Sequence, residues 1–192
     1  MKAQRLENLL GALALSVTDA VARSIEETEG AYGSDTFALV LLQHAETLRT
    51  DVLSRQLRLA QSSTVRLVDR MEREGLVRRE TGVDRRTVLV SLTARGLRAA
   101  EKVLSVRQNV LRNLLGELSD SEKSSLQAIT TKLLTRLTTD LASGEQNCRL
   151  CDEDACGLAE CPVEIRYQTF EGALLPPNRE RSNARKDAGR KL

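Results

Sequence analysis

"LVRRETGVDRRTVLVSL", residues 76–92, is a stretch of strand character in a chain whose other regular segments repeat at helical spacing. It reads as a short strand near Val77, a charged turn through Gly82 and Asp84, and a β-branched strand from Thr87 to Leu92. Before it, apolar residues at helical intervals predict helices near 5–28, 36–47, 51–58 and 62–74, separated by short polar or Gly-containing breaks. After it, Thr93 starts a helix to about Leu115. Ser119 or Asp120 starts another, with Leu126, Ile129, Leu133, Leu137 and Leu141 at helical spacing. There are no internal repeats.

Short helices joined by a tight turn and followed at once by a charged hairpin form the pattern of a winged helix-turn-helix. In that pattern the second helix of the pair enters the major groove and the hairpin reaches the flanking groove. The expected fold is therefore mainly α, with long N- and C-terminal helices and a short two-stranded wing. On helix 62–74, Val65, Val68 and Met71 are expected to face inward, while Ser62, Ser63 and Arg66 occupy the half that meets base edges. Arg66, Arg70 and Arg73 recur at i, i+4 and i+7 and share one stripe; alternatively, Arg70 and Arg73 merely pair with Asp69, Glu72 or Glu74.

Charge distribution supports a polyanionic partner. Although the 192-residue chain carries a net charge of only +2, the segment from Arg49 to Arg98 holds twelve arginines, no lysine and six acids. Guanidinium groups donate in pairs to phosphates and base edges. A solvated surface of ion pairs would have the same composition, so the spacing of the residues carries the argument.

"RLVDRMEREGLVRRE" at 66–80 and "DRRTVLVSLTARG" at 84–96 together resemble the MarR (multiple-antibiotic-resistance regulator) family of bacterial transcription factors, over roughly residues 5–142. The first resembles that family's recognition helix and first wing strand. The second resembles its wing signature: Asp, any residue, Arg, then a strand ending in Leu-Thr with Gly three residues on. By this resemblance Arg86 is the wing-tip arginine expected in the minor groove, and Asp84 the acid that orients the wing. Phosphate contacts from Arg78, Arg79 and Arg85 are inferred only from their placement. One departure is Ala60, which stands where the family usually caps the helix with Ser or Thr, so the cap shifts to Ser62 or is weaker.

The resemblance implies a homodimer on double-stranded DNA, and the leucine-rich first and last helices carry more apolar surface than a small winged domain buries. The chain divides as follows: a dimerisation helix at 1–35, the DNA-binding lobe at 36–98, further dimerisation helices at 93–142, a four-cysteine segment at 143–175 and a basic tail at 176–192. The tail, with two prolines and one large apolar residue, is expected to be disordered. Many family members respond to small, often phenolic, effectors. Such an effector is possible here, but two Phe, two Tyr and no Trp offer little to stack on it. His44, the sole histidine, is expected to be a hydrogen-bonded packing residue.

All four cysteines lie in "CRLCDEDACGLAECPVE" at 148–164: Cys148, Cys151, Cys156 and Cys161, spaced C-x2-C-x4-C-x4-C. Thiolates so close in sequence repel unless a cation gathers them, and zinc or an iron-sulfur cluster, most simply 4Fe-4S, accepts four of them. A single C-x2-C knuckle and the Cys161-Pro162 ending favour the cluster, while redox-active thiols without metal remain a third reading. The segment is expected to act as a sensor that alters packing on the dimer helices; the alternatives are a structural zinc clip on an architectural DNA-binding protein or, less economically, a thiol or iron-sulfur redox enzyme. No nucleotide-binding glycine motif, strand-helix-strand unit or acid-base set supports an enzyme. The amino-terminal "MKAQRLENLLGALALSV" imitates a secretory signal, but its helical period continues through Val21 and Ile25. No apolar run approaches the roughly eighteen residues of a membrane span, so the expectation is a soluble cytoplasmic protein with no membrane partner.

Overall fold

The computed structural model describes residues 2–82, 87–157 and 159–170. Asp84, Arg85 and Arg86, and the tail at 176–192, lie outside the described residues.

Helix α1 (Lys2–Glu29) is followed by α2 (Ser34–Ala45), strand β1 (Thr47–Arg49), α3 (Thr50–Leu57) and α4 (Gln61–Arg73). Next come β2 (Val77–Thr81), β3 (Val88–Leu92), α5 (Ala94–Gly116) and α6 (Asp120–Leu137), and then the shorter α7 (Leu141–Cys148), α8 (Glu153–Cys156) and α9 (Pro162–Phe170). The expected winged helix-turn-helix with its two-stranded wing, β2 and β3, is present. A further strand that the sequence reading did not place, β1, joins it to give an antiparallel sheet in the order β1-β3-β2, where Leu48 of β1 pairs with Val90 and both are buried. Three residues are too few to show a period of two, so the sequence reads them as the end of one helix and the break before the next.

The lobe core joins Leu39 and Leu42 of α2, Leu53 of α3, Leu67, Val68 and Met71 of α4, and Val77 and Val90 of the sheet. A second cluster, Val21, Ile25, Val40 and Val103, fixes α1 and α5 to α2, and Leu150 packs against it. Toward its start α1 leaves Leu6, Leu9, Leu10 and Leu13 exposed, and α6 exposes Ile129, Leu133 and Leu137.

Two glycines fix the α4–wing–α5 junction. Gly75 takes φ +68 after α4, so that Leu76 N–H donates to Met71 O and Gly75 N–H to Glu72 O, closing a left-handed C-terminal cap. Gly96 stands where a Cβ would lie 1.9 Å from the Leu76 carbonyl oxygen. The absence of that Cβ lets α5 start against the strand, with Thr93 capping Gly96 N–H at 3.1 Å and donating to Gly75 O at 2.6 Å. These contacts are the physical content of the Leu-Thr-x-x-Gly signature.

The expected last helix breaks. It ends at Leu137; Thr138 is extended, and Asp140 caps a separate α7 by accepting from Ser143 N–H at 2.7 Å. Helix α7, which leads into the cysteine segment, therefore starts at Leu141. Among the described residues no helix is long and apolar enough to cross a membrane.

Candidate nucleic-acid interface and thiol segment

Helix α4 buries Thr64, Leu67, Val68 and Met71. Val65, expected to face inward, is instead 41% exposed, because the buried stripe of this helix runs through Thr64 and Leu67 and turns Val65 to the opposite side. Ser62, Ser63 and Arg66 share the exposed surface at the N-terminal half. The N-cap remains Ala60, with no side-chain hydrogen bond, so it is the weaker of the two expected alternatives.

The arginines of this surface are not equivalent. Arg70 reaches Asp35 on α2, with Nε donating to Oδ2 at 3.1 Å, rather than Asp69, Glu72 or Glu74. That pairing holds the Arg70 guanidinium above its ordinary pKa, first through the hydrogen bond and then through the nearby charge. Arg79 lies on the same strand face as Val77 and reaches back to α4, donating to Asp69 at 2.6 Å, to Glu72 at 3.3 Å and to Val65 O at 3.3 Å. It ties the wing to α4. Arg78 donates to Ser91 Oγ at 3.0 Å and pairs with Glu80 at 3.1 Å. Arg66 and Arg73 are exposed, without an ion pair among the described residues.

A cleft of about 470 Å³ opens between α3, α4 and the wing, lined by Arg49, Asp51, Gln61, Val65, Arg79 and Val88. Arg49 grips Asp51 through two 2.9 Å hydrogen bonds and holds its carboxyl below the usual range. Gln61 and Val65 belong to this surface although sequence reasoning passed over the first and turned the second inward; the buried stripe, once fixed on Thr64 and Leu67, is the signal that exposes both. A second cleft, about 890 Å³, lies between the end of α1 and the lobe, with Asp35, Arg70, Arg95, Arg98 and Lys102 among its walls.

Behind the lobe, α7 to α9 gather the cysteines. Cys161 is buried, Cys148 and Cys151 are half-buried and Cys156 is exposed. The thiol of Cys148 exchanges hydrogen bonds with those of Cys151 and Cys161, which together with burial push it up. Cys151 is held down to about 7, mainly by the Cys148 hydrogen bond. Burial and the neighbouring Cys161 and Cys151 push Cys156 up to about 11. Cys148 and Cys156 are each influenced by Cys151 and Cys161, but among the described residues no three His, Cys, Asp or Glu side chains are disposed to hold a metal ion.

The segment does not dock on dimer helices alone, as expected. Helix α9 packs on α6 and α7, but α7 packs on α3. Gln146 Nε2 donates to Gln56 O at 2.6 Å, and Arg55 pairs at 3.3 Å with Glu145, whose side chain is 5% exposed. His44, at the end of α2, places Nε2 2.9 Å from the Cys151 carbonyl oxygen, the hydrogen-bonded packing role expected of it.

The sequence profile of the MarR family matches residues 34–88. The transcriptional repressor MprA of Escherichia coli K12 is 36% identical over 103 residues, which are 52% of this chain and 58% of MprA, so the match spans little more than half of that relative's length. The structure of a MarR family protein from Bacillus stearothermophilus superposes with a TM-score of 0.63 at 33% identity, covering 72% of this chain and 96% of that one. A variant of Staphylococcus aureus MepR bound to an oligodeoxyribonucleotide matches in fold, with a TM-score of 0.54 at 20% identity, over 69% of this chain and 97% of the other.

Proposed function

Because this chain belongs to the MarR family of transcriptional regulators, we propose that it is a cytoplasmic, homodimeric, sequence-specific DNA-binding repressor whose C-terminal thiols hold a metal centre. One observation carries the DNA-binding assignment: α4 has an apolar face locked into the lobe and an opposite face presenting Ser62, Ser63 and Arg66 to solvent, beside a wing tied to it by Arg79. A helix so held reads base edges without first paying for its own ordering. Arg66 and, at the wing tip, Arg86 are the principal contacts. Arg73, Arg78 and Arg85 supply phosphate contacts, Asp84 orients the wing, and Arg70 and Arg79 act mainly by holding the surface together.

The exposed leucines of α1 and α6 provide the dimer contact. Two-fold symmetry then sets half-sites one helical turn apart, roughly 34–36 Å. Any small-molecule effector would enter the cleft between α1 and the lobe, whose walls carry both bases (Arg95, Arg98, Lys102) and acids (Glu29, Glu74).

For the metal centre, the donor set consists of four sulfurs, which zinc and iron-sulfur clusters both accept. Hydrogen bonding links the Cys148 thiol to those of Cys151 and Cys161, but Cys156 is exposed and no three of these side chains are disposed to hold a metal ion among the described residues, so the segment would have to rearrange to gather all four. If a metal were bound, Cys148, Cys151, Cys156 and Cys161 would hold it as thiolates. The bound centre would serve as a sensor of metal or redox state.

The experiment is a mobility-shift series on promoter fragments at matched salt. Arg66→Ala and Arg86→Ala weaken operator binding at least tenfold; both binding as tightly as the parent removes these assignments. Anaerobic purification with an absorbance spectrum and metal analysis identifies the centre: iron with sulfide and a brown colour, or zinc without colour. A metal-free segment with four free thiols defeats the metal reading.

A further inference from the structure

The buried stripe of α4 is Thr64, Leu67, Val68 and Met71, and the next residue after Thr64 is turned roughly 100° out of that stripe by the helical period. Position 65 is therefore a solvent position, yet the residue there is a valine. Among the described residues Val65 is the one apolar side chain of α4 left exposed. Its neighbours on the same surface, Gln61, Ser62, Ser63 and Arg66, are all polar.

Val65 is also held in place. Arg79 of β2 donates to its carbonyl oxygen at 3.3 Å while the same guanidinium is anchored on Asp69 at 2.6 Å and on Glu72 at 3.3 Å, so the wing fixes this turn of the helix. A β-branched side chain in a helix has one strongly preferred rotamer, and the two methyl groups of Val65 present a surface of fixed shape. They face the cleft of about 470 Å³ that Val88 of β3, likewise exposed, also lines, and Gln61 lies one turn earlier on the same side of α4.

Methyl groups have no attraction for phosphate or for the polar edges of bases; what they match is another apolar group. Of the recognition groups that the four base pairs show in the major groove, the C5-methyl of thymine alone is apolar. We propose that Val65 is a specificity-determining residue that reads one thymine in each half-site by contact with that methyl. The proposal rests on the reading that α4 lies in a major groove, and it names a base that the polar residues beside Val65 do not select. With thymine in place, the valine and the base methyl shield each other from water. Cytosine lacks the methyl and turns an N4 donor toward the groove, which leaves the valine unmatched. The contact releases no counterion, so its contribution is independent of salt, unlike that of the arginines.

The test is a thymine-to-uracil scan, which removes the C5-methyl and keeps the base pair and its hydrogen-bonding groups. Duplexes are made from a promoter fragment of the protein's own genome that the full-length parent protects, with uracil at one thymine at a time. Affinity is measured by fluorescence anisotropy at two salt concentrations. For the parent, uracil at one position per half-site is expected to weaken binding about fourfold, the worth of one buried methyl. For Val65→Ser the same replacement changes affinity by less than about 1.5-fold, and salt moves neither ratio. Circular dichroism and denaturant unfolding check that the variant is folded. If it is not, Val65→Ala, which keeps one methyl, is expected to lower the ratio from about fourfold to about twofold. Uracil effects that are the same in folded variant and parent at every thymine overturn the role of Val65 and leave DNA binding standing. A parent that protects no promoter fragment overturns both.

Discussion

Arg70 and Asp35 form a two-armed ion pair, Nε donating to Oδ2 at 3.1 Å and a terminal nitrogen to Oδ1, which joins the second half of α4 to the first turn of α2. The side chains are 46% and 27% exposed, so solvent screens the attraction, and a double-mutant cycle should give a coupling of about 0.5–1 kcal/mol. Arg70→Ala is predicted to lower stability while leaving the salt dependence of operator binding near that of the parent. Arg66→Ala should leave stability unchanged and reduce the salt slope by about one. Chemical denaturation and binding at several salt concentrations separate the two effects.

Gly96→Ala is the most damaging single methyl in the lobe. The new Cβ would stand 1.9 Å from a backbone oxygen, that of Leu76, which cannot rotate away as a side chain does. Either α5 or the first wing strand must shift. The predicted loss is about 3 kcal/mol or more in denaturant unfolding, with operator binding weakened in whatever fraction remains folded. Parental stability would show that the junction is more compliant than its geometry implies.

Within the thiol segment, Gly144 lies under Tyr167. A Cβ there would meet the ring at 2.8 Å and Thr138 Cγ2 at 3.6 Å. Gly144→Ala should push α9 off α7, at roughly 1–3 kcal/mol of local stability. Faster hydrogen exchange in α9 and faster alkylation of the buried Cys161 are expected, with the thermal midpoint of the lobe unchanged.

Acid should loosen the helix caps beyond the lobe before it unfolds the lobe. The Ser119 hydroxyl and backbone N–H, at 2.6 and 2.9 Å, hold Glu122 below the usual carboxylate range, and the Ser143 N–H and hydroxyl do the same for Asp140. Both groups are depressed in the folded state, so their stabilisation is complete above the unfolded value of about 4 and disappears as pH falls through the folded one. Glu122→Gln with Asp140→Asn should flatten the decline in thermal midpoint between about pH 5 and 3. An unchanged decline would place the acid sensitivity elsewhere.

The fold could be read from the sequence wherever the signal was local and repeated. The long periods of α1, α5 and α6 and the β-branched run of β3 located those elements to within a few residues. What escaped was set by tertiary contact. Strand β1 exists because Leu48 finds Val90, and a three-residue element leaves no period. Leu141 continues the leucine spacing of α6, yet Asp140 with Ser143 makes a better helix start than Thr138 to Asp140 makes a helix interior. For the candidate site, the arginine stripe was visible, but its division was not. Asp35 claims Arg70, and Asp69 and Glu72 claim Arg79, through contacts 35, 10 and 7 residues apart in the chain. The four thiols were evident from composition; their seat on α3 and beside His44 depends on how α7 folds back, which no spacing encodes.

The most direct test of a dimer laying one α4 per subunit in the major groove is a hydroxyl-radical footprint of the purified full-length chain on promoter DNA from its own genome. The account predicts two protected half-sites about one helical turn apart, roughly 34–36 Å, both lost in Arg66→Ala at the same protein concentration. Uniform protection without half-sites, or a pattern that Arg66→Ala leaves intact, would contradict it.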